Sequence, residues 1–236
     1  MNDQASAKAG KTEAACIYSS KEAWDAALNV NQKDRPEFQY VELDPSLEHV
    51  LLIGDSISMG YTIPVRQALA GKANVCRIPV NGGDSARGLQ WLDKWLGSKK
   101  WRIIHFNWGL HDLKYLQDGA LDLAGRLVST PEQYEQHLRT LATRLQQTGA
   151  RLIWASTTPV PEGAVGRVPG SELTYNDRAA KVMNELGIAV NDLHGHVADR
   201  LDGNQLPRNV HFTDEGYALL GAKVTELIEQ QLQTDQ

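Results

Sequence analysis

The chain has 236 residues, enough for one large domain or two small ones, and 42% of them are apolar, the share of a globular protein with a full core. It carries 24 basic and 29 acidic residues, a net charge of −5. That balance excludes the basic footprint of a nucleic-acid binder, and no apolar run is long enough to cross a bilayer.

The opening stretch MNDQASAKAGKTEAA is small, polar and without a signal-peptide apolar region, so it reads as a flexible tail. As written the chain is expected in the cytoplasm; a chain whose signal had been removed would begin the same way and work in the periplasm or outside the cell. SSKEAWDAALN predicts a short extra helix, packed on the domain through Trp24. Residues 1–45 are thus expected to be tail and extra helix, and residues 46–236 the main domain. HVLLI (49–53) is a continuous apolar run, the pattern of a strand buried on both faces. ANVCRIPV (73–80), WRIIHFN (101–107), RLIWAS (151–156) and GIAVND (187–192) repeat it.

Helical patterns lie between these runs. Before Tyr134, Leu138, Leu141 and Leu145, Thr130 can cap, Pro131 suits the first turn and Gln133 can complete a capping box; Gly149 stops the run. ELTYNDRAAKVMNELG precedes the fifth strand, and TDEGYALLGAKVTELIEQQLQ, capped by Thr213, closes the chain. Strand and helix alternate five times, which implies a parallel sheet with helices on both faces. Cys16 and Cys76 lack metal-ligand spacing and read as free thiols, with a single bridge as the alternative.

In such sheets reactive groups gather at the carboxyl ends of the strands. The first strand ends in Gly54-Asp55-Ser56, the second in NGGDSARG (81–88) and the third in NWGLHDL (107–113); NVHFTDEGY (209–217) precedes the last helix. A serine, a glycine-rich turn and two histidines therefore meet at one edge. That is the inventory of an acyl-transfer site: nucleophile, base and oxyanion donors.

These four stretches, in this order from about Val50 to Leu227, resemble the blocks of the SGNH, or GDSL, hydrolase superfamily. The resemblance implies a flavodoxin-like three-layer α/β/α sandwich around five parallel strands. It places the nucleophile at Ser56, the base at His211 and a backbone oxyanion donor at Gly83, beside the Ser56 N–H. Asp55 is assigned to structure. No metal or organic cofactor is implied. Two positions depart from the family pattern. The third block reads Gly109-Leu110-His111-Asp112, so His111 stands where the family has an asparagine donor, with Asn107 as a substitute. The last block lacks its aspartate, because Arg208 lies three residues before His211. A backbone carbonyl of the same loop is the first expectation for what holds the imidazole; Asp192 and Asp202 are the alternatives.

Among other residues, Trp108 is a candidate substrate-stacking ring, with packing as its plain alternative, and Arg208 is expected to point out of the site toward an anionic substrate group. His194 and His196, near Asp199, read as a solvated loop rather than a metal pair, and His49 and His105 as core or edge residues. The expected function is hydrolysis of a carboxylic ester, foremost a small acyl group on a carbohydrate. A lipid esterase, lysophospholipase or thioesterase is the alternative, disfavoured because residues 113–128 carry charges and no apolar lid. An acyltransferase uses the same residues. A non-catalytic carbohydrate-binding module on a decayed scaffold is the rival of another class. Oligomeric state is not legible.

Overall fold

The computed structural model describes residues 16–234, so the expected tail falls outside the described residues. The order is α1 (Lys21–Ala27), β1 (Glu48–Ile53), α2 (Ser56–Ala68), β2 (Ala73–Arg77), α3 (Ser85–Leu96), β3 (Ile103–Phe106), β4 (Tyr115–Gln117), β5 (Ala120–Leu121), β6 (Arg126–Leu127), α4 (Pro131–Gln146), β7 (Arg151–Ala155), α5 (Glu172–Leu186), β8 (Ala189–Asn191), α6 (Leu193–Ala198) and α7 (Asp214–Gln233).

β2, β1, β3, β7 and β8 lie in that order in one sheet, all parallel, with Val50 opposite Val75 and Ile103. Val50 to Ile53 are fully buried, which is why this strand reads as an unbroken apolar run: helices cover both faces. α2 packs on α7 with α6 beside it, while α3, α4 and α5 pack in a row. The sheet order reverses direction beside β1, so the ends of β1 and β3 open onto the crevice where such folds place their sites.

The expected caps form. Thr130 Oγ1 accepts the Gln133 N–H and the Gln133 side chain returns to the Thr130 N–H, closing the capping box of α4. The Tyr134 hydroxyl then donates to the Trp108 carbonyl at 2.6 Å, tying α4 to the chain leaving β3. Trp24 of α1 is buried and its indole N–H donates to the Phe38 carbonyl at 2.6 Å. With Tyr18 and Phe38 it joins the core that the sheet builds. Cys16 and Cys76 are free thiols.

One element is absent from the sequence reading. Residues 113–128 fold into a small antiparallel sheet, β5-β4-β6. Asp118 and Gly119, both at positive φ, make the two-residue turn between the paired Gln117 and Ala120. His194 and His196 lie on α6, not in a loop. His194 pairs with Glu172 at 3.2 Å, and among the described residues no group of three or more His, Cys, Asp or Glu is placed to hold a metal ion.

Candidate active site

Ser56 is the first residue of α2. Asp55, its N-cap, is buried and its carboxylate accepts the Ile57 N–H at 2.9 Å. Asp55 is thus occupied in structure. The Ser56 N–H is one of the first helical N–H groups, which have no intrahelical acceptor and point out of the helix end. The Ser56 hydroxyl lies 2.8 Å from His211 Nε2.

The loop that delivers His211 is a narrow turn. Gln205 bridges Phe212, the Leu206 N–H donates to the His211 carbonyl at 2.9 Å, and the Asn209 N–H returns to the Leu206 carbonyl at 3.2 Å. Pro207 and Arg208 are the central pair, and Arg208 sits at φ 57°, a region sparsely used by residues other than glycine. This turn places the Asn209 side chain under the imidazole. Asn209 Oδ1 is 3.1 Å from the His211 backbone N and 2.7 Å from His211 Nδ1. A backbone N–H can only donate, so the atom it meets is the amide oxygen. Nδ1 must then carry the ring proton, and the Nε2 lone pair faces Ser56. The acceptor expected from a backbone carbonyl is therefore supplied by a side-chain carbonyl two residues before the histidine. Neither aspartate takes part. Asp192 caps α6, accepting from Ser156 Oγ and the Gly195 N–H at 2.9 Å each, and Asp202 is exposed. Burial, with the charge of Arg167 second, holds the His211 pKa below its usual value.

Across the cleft, Gly83 has φ 64°, and a Cβ there would come within 2.7 Å of Arg87 Cδ. Its N–H donates to Asn81 Oδ1 at 2.9 Å, and the Gly82 N–H donates to the Gly54 carbonyl at 2.9 Å, which locks this loop to the end of β1. His111 Nδ1 lies 3.1 Å from Lys114 Nζ. The ammonium donates, so Nδ1 is the acceptor and Nε2 carries the proton. Burial first, then the charges of Lys114 and Arg167, push the His111 pKa down to about 3, so the ring is neutral. One N–H of the Asn107 amide donates to the Ala155 carbonyl at 2.7 Å, which fixes the orientation of that side chain. Beneath the loop the buried Asp112 carboxylate accepts the Ser85 N–H and hydroxyl, and burial lifts its pKa to about 7.

Trp108 takes the packing alternative, and Arg208 points out of the site as expected. Trp108 is fully buried: its ring lies over Gly88 of α3, where a Cβ would meet it at 2.7 Å, and beside Phe106 at 6.0 Å between centroids. It is a packing residue and presents no face to a ligand. Arg208 is exposed, and its side chain lies against Gly163 in the loop between β7 and α5. Asn209 was missed. The signal for it was the Pro207-Arg208-Asn209 turn itself, since an asparagine two residues before a backbone N–H forms such turns by its side chain.

Residues 52–219 match the model of the GDSL-like Lipase/Acylhydrolase family. A match over that much of the chain, with the site just described, makes this protein a member of that family, an SGNH-type ester hydrolase. The sequence has no match among curated proteins. The fold is similar to that of a lipase/acylhydrolase from Enterococcus faecalis, with 19% identity, a TM-score of 0.67, and coverage of 80% of this chain and 100% of that one. It is also similar to the acetyl xylan esterase AlAXEase (16% identity, TM-score 0.63, 76% and 99% covered). A GDSL-like lipase from Bacteroides thetaiotaomicron is a third such structure (16% identity, TM-score 0.60, 91% and 98% covered).

Proposed function

We propose that Ser56 is the nucleophile and His211 the general base of a carboxylic ester hydrolase acting on small acyl esters, foremost acetyl groups on a carbohydrate. The observation that carries this reading is the 2.8 Å contact of Ser56 Oγ with an imidazole nitrogen whose lone pair Asn209 aims at it. His211 Nε2 takes the hydroxyl proton as Oγ attacks the acyl carbon. The oxyanion that forms receives the Ser56 N–H, the Gly83 N–H and the His111 Nε2–H. For Gly83 the N–H exchanges Asn81 Oδ1 for the oxyanion, a change from a neutral to a charged acceptor and so a stronger bond. His211 next passes its proton to the departing alkoxide. Water, activated by the same imidazole, attacks the acyl-enzyme and releases the acid. Asn209 steadies the transient imidazolium with an amide dipole rather than a full charge, a weaker hold than a carboxylate gives.

The acetyl preference is supported by the likeness to an acetyl xylan esterase; the buried Trp108 adds nothing to it. The lipid-ester reading has one observation in its favour. Leu121, Leu123, Val165 and Val168 are exposed on the β4–β6 sheet and on the loop facing it, which are joined by the Tyr115 N–H to the Gly166 carbonyl at 2.7 Å. A p-nitrophenyl ester series separates the two. The acetyl or propionyl ester should give the highest kcat/KM; a maximum at octanoyl or longer would hand the site to the lipid reading. Labelling by a fluorophosphonate should map to Ser56, and labelling elsewhere would reject the nucleophile.

A further inference from the structure

The segment after His111 and the loop before α5 run side by side, joined by the Tyr115 N–H and the Gly166 carbonyl. That pairing brings Lys114 and Arg167 together beside the cleft. Arg167 is only 9% exposed, and its Nε–H donates to the Leu110 carbonyl at 2.9 Å. Lys114 is half-buried over His111. Neither cation forms an ion pair among the described residues, a state they share with the buried Arg77. Arg87, over Gly83, is the third cation of the group and acts on His111. Asp55 acts on Arg167, and Asp84, Asp112 and Asp55 act on Lys114, but each of these carboxylates is already engaged by backbone N–H groups. Asp55 and Asp112 are buried and hold backbone N–H groups, and Asp84 caps α3 through the Arg87 N–H at 2.8 Å.

Burying like charges without a direct ion pair costs stability, and an anion arriving between them offsets that cost. We infer that Arg167 and Lys114 form an anion-binding subsite beside the ester site, so that the natural substrate is an ester that also carries a carboxylate, sulfate or phosphate group. This rests on the hydrolase reading above and deepens it. Lys114 is then shared: one face of its ammonium holds His111, the other meets the substrate anion.

Matched ester pairs test it. One pair is 4-acetoxybenzoate and its methyl ester; the other is the mono-p-nitrophenyl ester of succinic acid with the far carboxylate free or methylated. At low salt the charged member of at least one pair should show about tenfold higher kcat/KM, the scale of one charge-assisted contact, and the ratio should fall as salt rises. Arg167→Gln should bring the ratio near one, and Arg167→Lys should keep most of it. Equal rates within both wild-type pairs, or a ratio that survives Arg167→Gln, would overturn the subsite. Calorimetry on Ser56→Ala asks the same without turnover: the charged ester should bind about tenfold tighter than the neutral one. Equal binding there rejects the subsite alone, whereas failure of the wild type to hydrolyse any ester rejects the hydrolase reading alone.

Discussion

The loop before α7 and the loop after β3 each bring one histidine to the same cleft, and they prepare it in opposite ways. Both imidazoles are partly buried and both are secured at Nδ1 by a near neighbour in sequence. Asn209 offers an acceptor, so His211 keeps its proton on Nδ1 and turns a lone pair toward Ser56. Lys114 offers a donor, so His111 keeps its proton on Nε2 and can give a hydrogen bond there. The neighbour's hydrogen-bond polarity, not the ring, decides which histidine presents a lone pair to the cleft and which an N–H. Burial foremost, with the cations around His111 adding to it, lowers its pKa to about 3 and so keeps the ring neutral at neutral pH.

The comparison breaks most severely if Ser56 or His211 is removed. Ser56→Ala and His211→Ala should each lower kcat on p-nitrophenyl acetate by a factor on the order of 10⁶, with circular dichroism unchanged. Asn209→Ala should cost about 10³, less than the roughly 10⁴ of a triad aspartate, because the lost partner is a neutral dipole. Asn209→Asp should do the reverse and raise kcat. It also moves the pH profile: wild-type kcat/KM should fall only as pH drops through the His211 pKa, which lies below 6.5, and a carboxylate stabilises the imidazolium and lifts that pKa, so the acid limb shifts to higher pH. An unshifted limb would detach Asn209 from His211.

On the other side, His111→Ala should cost about 10²–10³ in kcat with little change in KM, the scale of one oxyanion donor, and His111→Asn should recover part of it. Full activity in His111→Ala would leave that ring a structural role. The smallest effect isolates Lys114. Lys114→Met should cost about tenfold with the neutral p-nitrophenyl acetate, and nothing further in a His111→Asn background, because a group acting through His111 has no target once the imidazole is gone. Additive losses would mean that Lys114 acts elsewhere.

Much of this was legible in the chain. Runs such as Val50 to Ile53 mark buried parallel strands because both faces are covered, and Thr130, Gln133 and Thr213 announce helix starts by local chemistry alone. Ser56, Gly83, His111 and His211 could be placed at one sheet edge because they follow strand ends or precede the last helix, and the family resemblance named their roles. What escaped depends on contacts that periodicity does not encode. Trp108 sits in a site block, yet its ring turns inward because Gly88 leaves room for it on α3. The hairpin at Asp118-Gly119 carries a strong turn signal, but its strands of two or three residues are too short to show alternation. Asn209 escapes an expectation of a backbone carbonyl, with Asp192 or Asp202 as alternatives, because the turn at Pro207 and Arg208 lets a side-chain amide two residues away make the same contact.

The central claim is that the two histidines hold opposite neutral tautomers, and ring-nitrogen NMR reads this directly. In protein carrying ¹⁵N-labelled histidine at about pH 8, His211 should show its proton on Nδ1 and His111 on Nε2, with assignments from His211→Ala and His111→Asn. On lowering the pH, His211 should gain its second proton below 6.5 while His111 stays neutral as long as the fold survives, in keeping with a pKa of about 3. The same tautomer on both rings, or a His111 that titrates near 6.5, would contradict the account.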